Sequence, residues 1–166
     1  LLERIKPNVV TLAFDPEGSG PDTHYKVMQA IAEALKEYVK KKGRKAPEIW
    51  GYRNVWYRYH PAEANSFVPV SLNSMAVMES MFVHSFGSQR DASFPSYELD
   101  GPFSRLAQKI QADQFKTIKT CLGDKYFNEN IHPRLRACHG FCFIKKMTMP
   151  EFLEQTMALK KKMEAQ

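Results

Sequence analysis

Two side chains that can bind metals or move protons stand on either side of a short loop near the start of the chain. In "VVTLAFDPEGSGPDTHYKVMQAIAEAL" (9–35), an apolar run ends on Asp15, a loop rich in Gly and Pro follows, and His24 lies at the start of a helical pattern. A carboxylate and a neutral imidazole both suit zinc or a similar divalent ion. Because a helix N-terminus disfavours an imidazolium, we expect a neutral His24 there. Asp15 as a turn-initiating residue and His24 as a buried, hydrogen-bonded histidine are the structural alternatives.

A second set of candidates follows the next apolar run. Arg53, in "GYRNVW" (51–56), comes after a predicted strand and could hold a phosphate or carboxylate, or equally form an ion pair. Tyr52, Trp56 and Tyr57 could stack on a sugar ring, although aromatic side chains at this density more often pack a core or an interface. We therefore take Arg53 and Tyr52 as the candidate substrate-binding residues.

Hydrophobic periodicity predicts the elements that position these residues. Short β-branched runs predict strands, and apolar residues at i, i+4 and i+7 predict helices. The predicted order is a helix end at Leu1–Lys6, a strand at Val9–Phe14, a helix from a cap at Asp22 or Thr23 to about Lys41, a strand after Pro47, a strand in "SFVPVS" (66–71), a helix at Leu72–Phe86 capped by Ser71, a loop at 87–101, a helix at Pro102–Leu122, a strand in "RACHGFCFIKK" (136–146) and a helix at Met149–Ala165 capped by Thr148.

Alternating strands and helices favour an α/β fold. We expect a Rossmann-like layered sheet with mostly parallel strands and helices on both faces. In such sheets ligands bind outside the carboxyl ends of the strands, where Asp15 and His24 would meet. The 87–101 loop is long enough to suggest a functional role.

Composition sets limits on the class of protein. The chain has 166 residues, of which 43% are hydrophobic and 25% charged, which fits one globular domain over 1–166. No apolar run reaches the 18 residues of a membrane-spanning helix. Cys121, Cys138 and Cys142 lack the spacing of a disulfide framework, so we expect buried thiols and a cytoplasmic protein.

The net charge of +6 invites a nucleic-acid interpretation. Much of the excess lies in "KKKGRK" (40–45) and "KKK" (160–162), both at the C-terminal ends of predicted helices. Cations are favourable at helix C-termini and project into solvent there, so solvated helix ends explain these runs better than a nucleic-acid surface does. Anionic small molecules remain compatible with the charge.

Four segments resemble a known family. "IKPNVVTLAFDPEGSGPDTHYKVMQAIAEAL" (5–35), "WGYRNVW" (50–56), "VPVS" (68–71) and "SQRDASF" (88–94) together look like the PIG-L/LmbE-like de-N-acetylases. The resemblance covers roughly residues 1–94 and is strongest to the domain that some bacteria fuse to glucosamine-6-phosphate deaminase. It implies a Rossmann-like fold and zinc-dependent removal of an N-acetyl group from an N-acetylglucosamine derivative.

The resemblance also assigns roles to two residues. His24 would be a metal ligand, and Asp15 would line the same catalytic pocket, with zinc or another divalent metal as cofactor. This sequence departs from the family pattern at Pro21 and Phe86, where many members carry histidines. The family's first metal motif, of "H-P-D-D" type, does not occur in these residues.

Two interpretations therefore stay open. The chain is either the C-terminal part of an active de-N-acetylase domain within a longer protein, which we favour, or a catalytically inactive interaction module beside a deaminase domain. We expect an amino sugar and a neighbouring deaminase-like domain as partners, with a homo-oligomer as a further candidate. We expect no membrane partner, and nucleic acid is the weakest candidate.

Overall fold

A computed structural model describes residues 1–53, 58–92 and 100–165. The chain alternates helices and strands, which confirms the α/β class. The elements in order are α1 (Leu2–Ile5), β1 (Val9–Ala13), α2 (Asp22–Lys40), β2 (Glu48–Tyr52), β3 (Ser66–Val70), α3 (Leu72–Ser85), a 3-10 turn (Gly87–Gln89), α4 (Phe103–Leu122), α5 (Asp124–Asn128), α6 (Pro133–Arg136), β4 (Gly140–Met147) and α7 (Met149–Glu164).

The four strands form one mixed sheet in the order β1–β2–β4–β3. β1 and β2 are parallel, in a register that runs from Val9 opposite Glu48 to Ala13 opposite Tyr52. β4 is antiparallel to β2, so the expected parallel pairing holds for β1 and β2 but not for this late strand. An apolar run predicts a strand but carries no information about its direction, which the preceding connection decides.

The chain divides into two compact units. The first comprises Leu1–Ser66 and Ile144–Gln166, and the second comprises Phe67–Phe143. The expectation of a single domain over 1–166 stays a prediction.

The core of the first unit lies between its strands and the helices α2 and α7. Phe14 of β1's carboxyl end and Phe152 of α7 are buried, with ring centroids 6.3 Å apart. A side chain at Gly51 would place its Cβ 2.6 Å from the Cβ of Phe14, so only glycine fits at this point of β2. On the alternate positions, Val9 and Tyr52 are exposed, so in the described part of this unit the helices cover one face of the strands and the other is open.

The core of the second unit is largely aromatic. Phe127 of α5 contacts Phe115 of α4 and Phe141 of β4, with ring centroids 5.0 and 6.2 Å away. Leu106 and Ile110 of α4 are also buried. The short helices α5 and α6 were not predicted, because four- and five-residue helices show no periodicity of their own.

Side-chain caps begin two of the described helices, α3 and α7. Ser71 accepts a hydrogen bond from the Ser74 N–H, and Thr148 forms a capping box with Glu151, as predicted. The predicted cap of α2 at Asp22 or Thr23 is wrong, because Pro21 is the N-cap and its side chain makes no capping bond. The ring of Pro21 restricts its φ to −58°, a value that helical residues also adopt.

Part of the predicted 87–101 loop lies outside the described residues. Its first residues, Gly87–Gln89, form a 3-10 turn, and residues 93–99 are not described. Within the ranges that are described, no helix is long and apolar enough to cross a membrane.

Candidate functional site

Asp15 lies two residues beyond Ala13, the last residue of β1, and organises the loop that leads to α2. Its side chain accepts hydrogen bonds from the Ser19 hydroxyl (2.9 Å, at Oδ1) and the Gly20 N–H (at Oδ2), and its carbonyl accepts the Gly18 N–H (3.2 Å). The residue is only 8% exposed. Asp15 therefore lies at the strand end as predicted, and both its carboxylate oxygens are hydrogen-bonded within the loop.

Arg53 reaches Asp15 from the end of the neighbouring strand. Because β1 and β2 are parallel with Ala13 opposite Tyr52, the next residues of both strands emerge at the same sheet edge. The Arg53 Nη1 lies 3.2 Å from Asp15 Oδ1 and 2.6 Å from Glu17 Oε2, with the arginine side chain only 5% exposed. Of the two alternatives for Arg53, the structure shows an ion pair, and it is a buried one.

Electrostatics keeps this cluster charged. Burial alone would raise the pKa of Asp15, but hydrogen bonds from Gly20 and Ser19, with the charge of Arg53, outweigh it and hold that pKa below its usual value. Burial works against the charged form of Arg53 too, yet Glu17 and Asp15 raise the pKa of its guanidinium above the ordinary value. Asp15 is therefore a charged anchor for Arg53 rather than a base poised to take a proton near neutral pH.

Tyr59 lies beneath the guanidinium. The Arg53 Cζ lies 4.9 Å from the centre of the Tyr59 ring, a cation–π contact. Tyr59 is 4% exposed, and its hydroxyl has no hydrogen-bond partner in the described part of the chain. Burial raises the pKa of this phenol well above its usual value, so it stays protonated.

The loop between Asp15 and Pro21 is fastened from a second direction by α7. Gly18 adopts φ +68°, and a Cβ there would lie 3.2 Å from the Leu159 Cδ1 and 3.5 Å from the Met163 Sδ. The Lys162 Nζ donates to the Glu17 carbonyl (3.2 Å). The loop is therefore fixed by three elements: the end of β1, the end of β2 and α7.

His24 lies in the first turn of α2, as predicted, and is half-buried. Its backbone N–H donates to the Pro21 carbonyl (2.8 Å). Over 1–53, 58–92 and 100–165, no group of three or more His, Cys, Asp or Glu side chains could hold a metal ion. Asp15 does not fit a metal ligand, since its oxygens are engaged and the Arg53 guanidinium beside it would repel a cation. The role of His24 as a metal ligand stays a prediction.

The remaining predicted substrate residues are placed differently. Tyr52, the last residue of β2, is 41% exposed and open to a ligand at the strand end. Trp56 and Tyr57 lie outside the described residues. Their stacking role stays a prediction.

Sequence reasoning missed three residues of this cluster. Glu17, Tyr59 and Lys162 all contact Arg53 or the Asp15 loop. Glu17 had a usable signal, because an acid four residues beyond the end of β1 can lie within reach of a base just beyond the adjacent parallel strand. The positions of Tyr59 and Lys162 depend on tertiary packing, which local sequence patterns do not show.

Comparisons with models of known protein families, with curated proteins and with solved structures found no match. The family resemblance therefore depends on the motifs of the sequence alone.

Proposed function

We propose that this chain belongs to a hydrolase-like domain of amino-sugar metabolism that removes an N-acetyl group from an N-acetylglucosamine-type substrate. One observation carries the proposal. The parallel strands β1 and β2 end side by side at a buried Asp15–Arg53 pair, with the first turn of α2 beginning after the same loop. This is the edge of an α/β sheet where ligands bind, and a Rossmann-like arrangement of the complete domain would place it at the pocket mouth.

Some residues of this edge hold their neighbours in place, and others would contact the metal or the substrate. Asp15 and Glu17 hold Arg53, and the Asp15 loop sets the start of α2 and hence the position of His24. Tyr52 is exposed beside them and could pack against a sugar ring. In this proposal Asp15 orients its neighbours, and His24 and Tyr52 are the side chains that meet a metal or the substrate.

The proposal includes a divalent metal, zinc being the leading candidate, with His24 as one proposed ligand, and the described residues contain no group of three or more His, Cys, Asp or Glu side chains that could hold it. A catalytic zinc takes about three protein ligands, so ligands besides His24 would have to come from outside the described ranges. Such a metal would polarise the acetyl carbonyl and activate water.

The direct test is acetate release from N-acetylglucosamine 6-phosphate by the full-length cytoplasmic protein in the presence of zinc. We expect the wild type to release acetate and His24→Ala to lose at least about 100-fold in rate, the scale expected for losing a group that binds metal or moves a proton. His60→Ala, an exposed histidine beyond the strand end, is the matched control and should keep full activity. Wild-type protein that releases no acetate with zinc, manganese or cobalt would contradict the proposal.

A second candidate is a catalytically silent module beside a deaminase-like domain. The saturated Asp15 cluster favours it, because both carboxylate oxygens are satisfied by the protein itself. Zinc content separates the two functions. An active domain should retain bound zinc, and His24→Ala should remove it. A silent module should bind no zinc, and replacing its His24 should leave ammonia release by the neighbouring domain unchanged.

A further inference from the structure

Two methionines and a histidine follow one another at three-residue intervals along α3. The helix reads "LNSMAVMESMFVHS" (72–85), so Met78, Met81 and His84 stand at positions i, i+3 and i+6. Side chains three residues apart are neighbours on a helix surface, with Cβ atoms about 5–6 Å apart. Met81 therefore lies between Met78 and His84, within reach of both.

These three side chains are open to solvent. Met78 is 38% exposed, Met81 is 62% exposed, and His84 is exposed as well. α3 packs through another side, where Met75 is buried and its Cε would lie 2.5 Å from a Cβ on Gly140. Core packing therefore explains Met75, but it does not explain the two outward thioethers.

A hydrogen bond within the helix orients the His84 ring. The His84 Nδ1 lies 2.6 Å from the Ser80 carbonyl oxygen. Because a carbonyl oxygen can only accept, Nδ1 carries the proton, and the neutral ring presents Nε2 as its electron-pair donor. Metal-binding histidines usually donate their other ring N–H to a carbonyl or a carboxylate, which fixes both the ring and its tautomer. The ring of His84 is therefore prepared to bind a metal through Nε2.

The types of ligand select a soft, singly charged ion. Thioether sulfur and imidazole nitrogen suit Cu(I), whereas Mg²⁺, Ca²⁺ and Mn²⁺ require oxygen ligands. The one carboxylate within 72–85 belongs to Glu79, which pairs with Arg105 at 3.2 Å. His84 also lies in the last turn of α3, where the helix dipole favours a cation.

We propose that Met78, Met81 and His84 form a surface site for Cu(I), with the two thioether sulfurs and the His84 Nε2 as its ligands. Methionine is unbranched and flexible, so both sulfurs can turn toward one ion beside the imidazole. Binding includes no redox or covalent step, and the ion enters and leaves as Cu(I). The site shares no residue with the proposed zinc site, and this inference is independent of the proposed function.

The test is NMR of the full chain with isotope-labelled methionine methyl groups, titrated under argon with up to about 1 mM Cu(I). The methyl signals of Met78 and Met81 should shift together, because coordination of the sulfur acts on the methyl group bonded to it. Met157 of α7 is the matched control, since it is 47% exposed and the residues three and four positions away are Leu, Glu and Lys. Its signal should stay in place.

Two variants test the ligands one at a time. Met81→Leu and His84→Gln should each raise the Cu(I) concentration at the midpoint of the Met78 shift at least about tenfold. Met157→Leu should leave that midpoint unchanged. Leucine has nearly the volume of methionine, and Met81 is exposed, so we expect the fold to be kept. Circular dichroism checks each variant, and the wild-type comparison of Met78 and Met81 with Met157 decides alone if a variant does not fold.

Cysteine thiolates also bind Cu(I), so all titrations are made in a Cys121→Ser background, which removes the exposed thiol of α4. Copper bound to Cys138 or Cys142 would leave the Met78 and Met81 signals in place. Two results would overturn the proposal. One is a pair of Met78 and Met81 signals that shift no more than the Met157 signal, and the other is a midpoint that either Met81→Leu or His84→Gln leaves unchanged.

Discussion

The carboxyl end of β1 and its outer edge belong to the same five-residue strand, but they differ in where their polar groups point: into a buried cluster at the carboxyl end, and away from the sheet along the edge. At the carboxyl end, Asp15 is bonded to Ser19, Gly20 and Arg53 and is almost fully buried. Along the outer edge, Val9 and Thr11 are exposed, and their backbone groups face away from the sheet.

The contrast separates groups that stabilise the fold from groups that remain available for recognition. Buried charges are tolerated only when paired and hydrogen-bonded, so the carboxyl end must be complete within the chain itself. A solvated strand edge has no such requirement, since water satisfies its backbone groups. Replacements at the carboxyl end should therefore act mainly on stability.

The largest effect is expected from Arg53→Met, which leaves Asp15 buried without its cation. We expect the free energy of unfolding to fall by about 3 kcal/mol, the lower end of the range for breaking a buried pair, because Asp15 keeps two hydrogen bonds and Glu17 is partly solvated. Urea unfolding at pH 7 measures it.

Arg105→Met is the matched control for that loss. Arg105 pairs with Glu79 at 3.2 Å, but the two side chains are 66% and 36% exposed, so the expected cost is below about 0.5 kcal/mol. Equal losses in the two variants would mean that burial does not distinguish the Asp15 cluster from a surface ion pair.

Local patterns predicted the elements because each pattern is decided within a few residues. The Ser71 and Thr148 caps and the strand at Val9–Ala13 follow from hydroxyls before helical periodicity and from a β-branched run. The direction of β4 was not predictable in this way, because "GFCFIKKM" has the same alternation whether it runs parallel or antiparallel to β2.

For the site too, the sequence predicted the positions of single residues but not their contacts. The strand ends placed Asp15 and Arg53 at one edge, but only the folded chain shows that they bind each other and that Glu17 and Tyr59 complete the cluster. These partners depend on the register of β1 against β2 and on the segment after β2, which are tertiary properties.

Asp15→Asn is expected to have the next largest effect, about 2 kcal/mol at pH 7, because it removes the charge that Arg53 binds but keeps the shape of the loop. The pKa of Asp15 is lowered in the folded state, so its contribution is complete above the unfolded value near 3.9 and is lost as the pH falls through the folded pKa. The difference between wild type and variant should therefore be constant above about pH 5 and shrink below about pH 4.

Urea unfolding of both proteins from pH 7 to pH 3 measures this difference. Subtracting one from the other removes the contribution of the remaining carboxylates. A difference that stays constant down to pH 3 would show that the charge of Asp15 contributes nothing and that only the packing of its side chain matters.

Gly18→Ala tests whether the loop is held by α7. Both Gly18 and Gly43 have positive φ, +68° and +78°, so alanine costs about 1 kcal/mol at either position from backbone strain alone. A Cβ on Gly18 would also press on Leu159, whereas one on Gly43 meets nothing within 4 Å. In thermal unfolding we expect Gly18→Ala to lower the free energy of unfolding more than Gly43→Ala does, by a few tenths of a kcal/mol. A larger loss in Gly43→Ala would mean that α7 does not hold the Asp15 loop in place.

The smallest effect is expected from Tyr59→Phe, which tests how complete the cluster is. The ring carries the guanidinium of Arg53, and phenylalanine offers the same face, so the cation–π contact survives. The hydroxyl is buried without a partner in the described residues, and removing such a group is neutral or stabilising by up to about 1 kcal/mol. Tyr59→Leu, which removes the ring face, should by contrast cost about 2 kcal/mol. If Tyr59→Phe instead destabilises the protein by more than about 1 kcal/mol in urea, the hydroxyl has a partner.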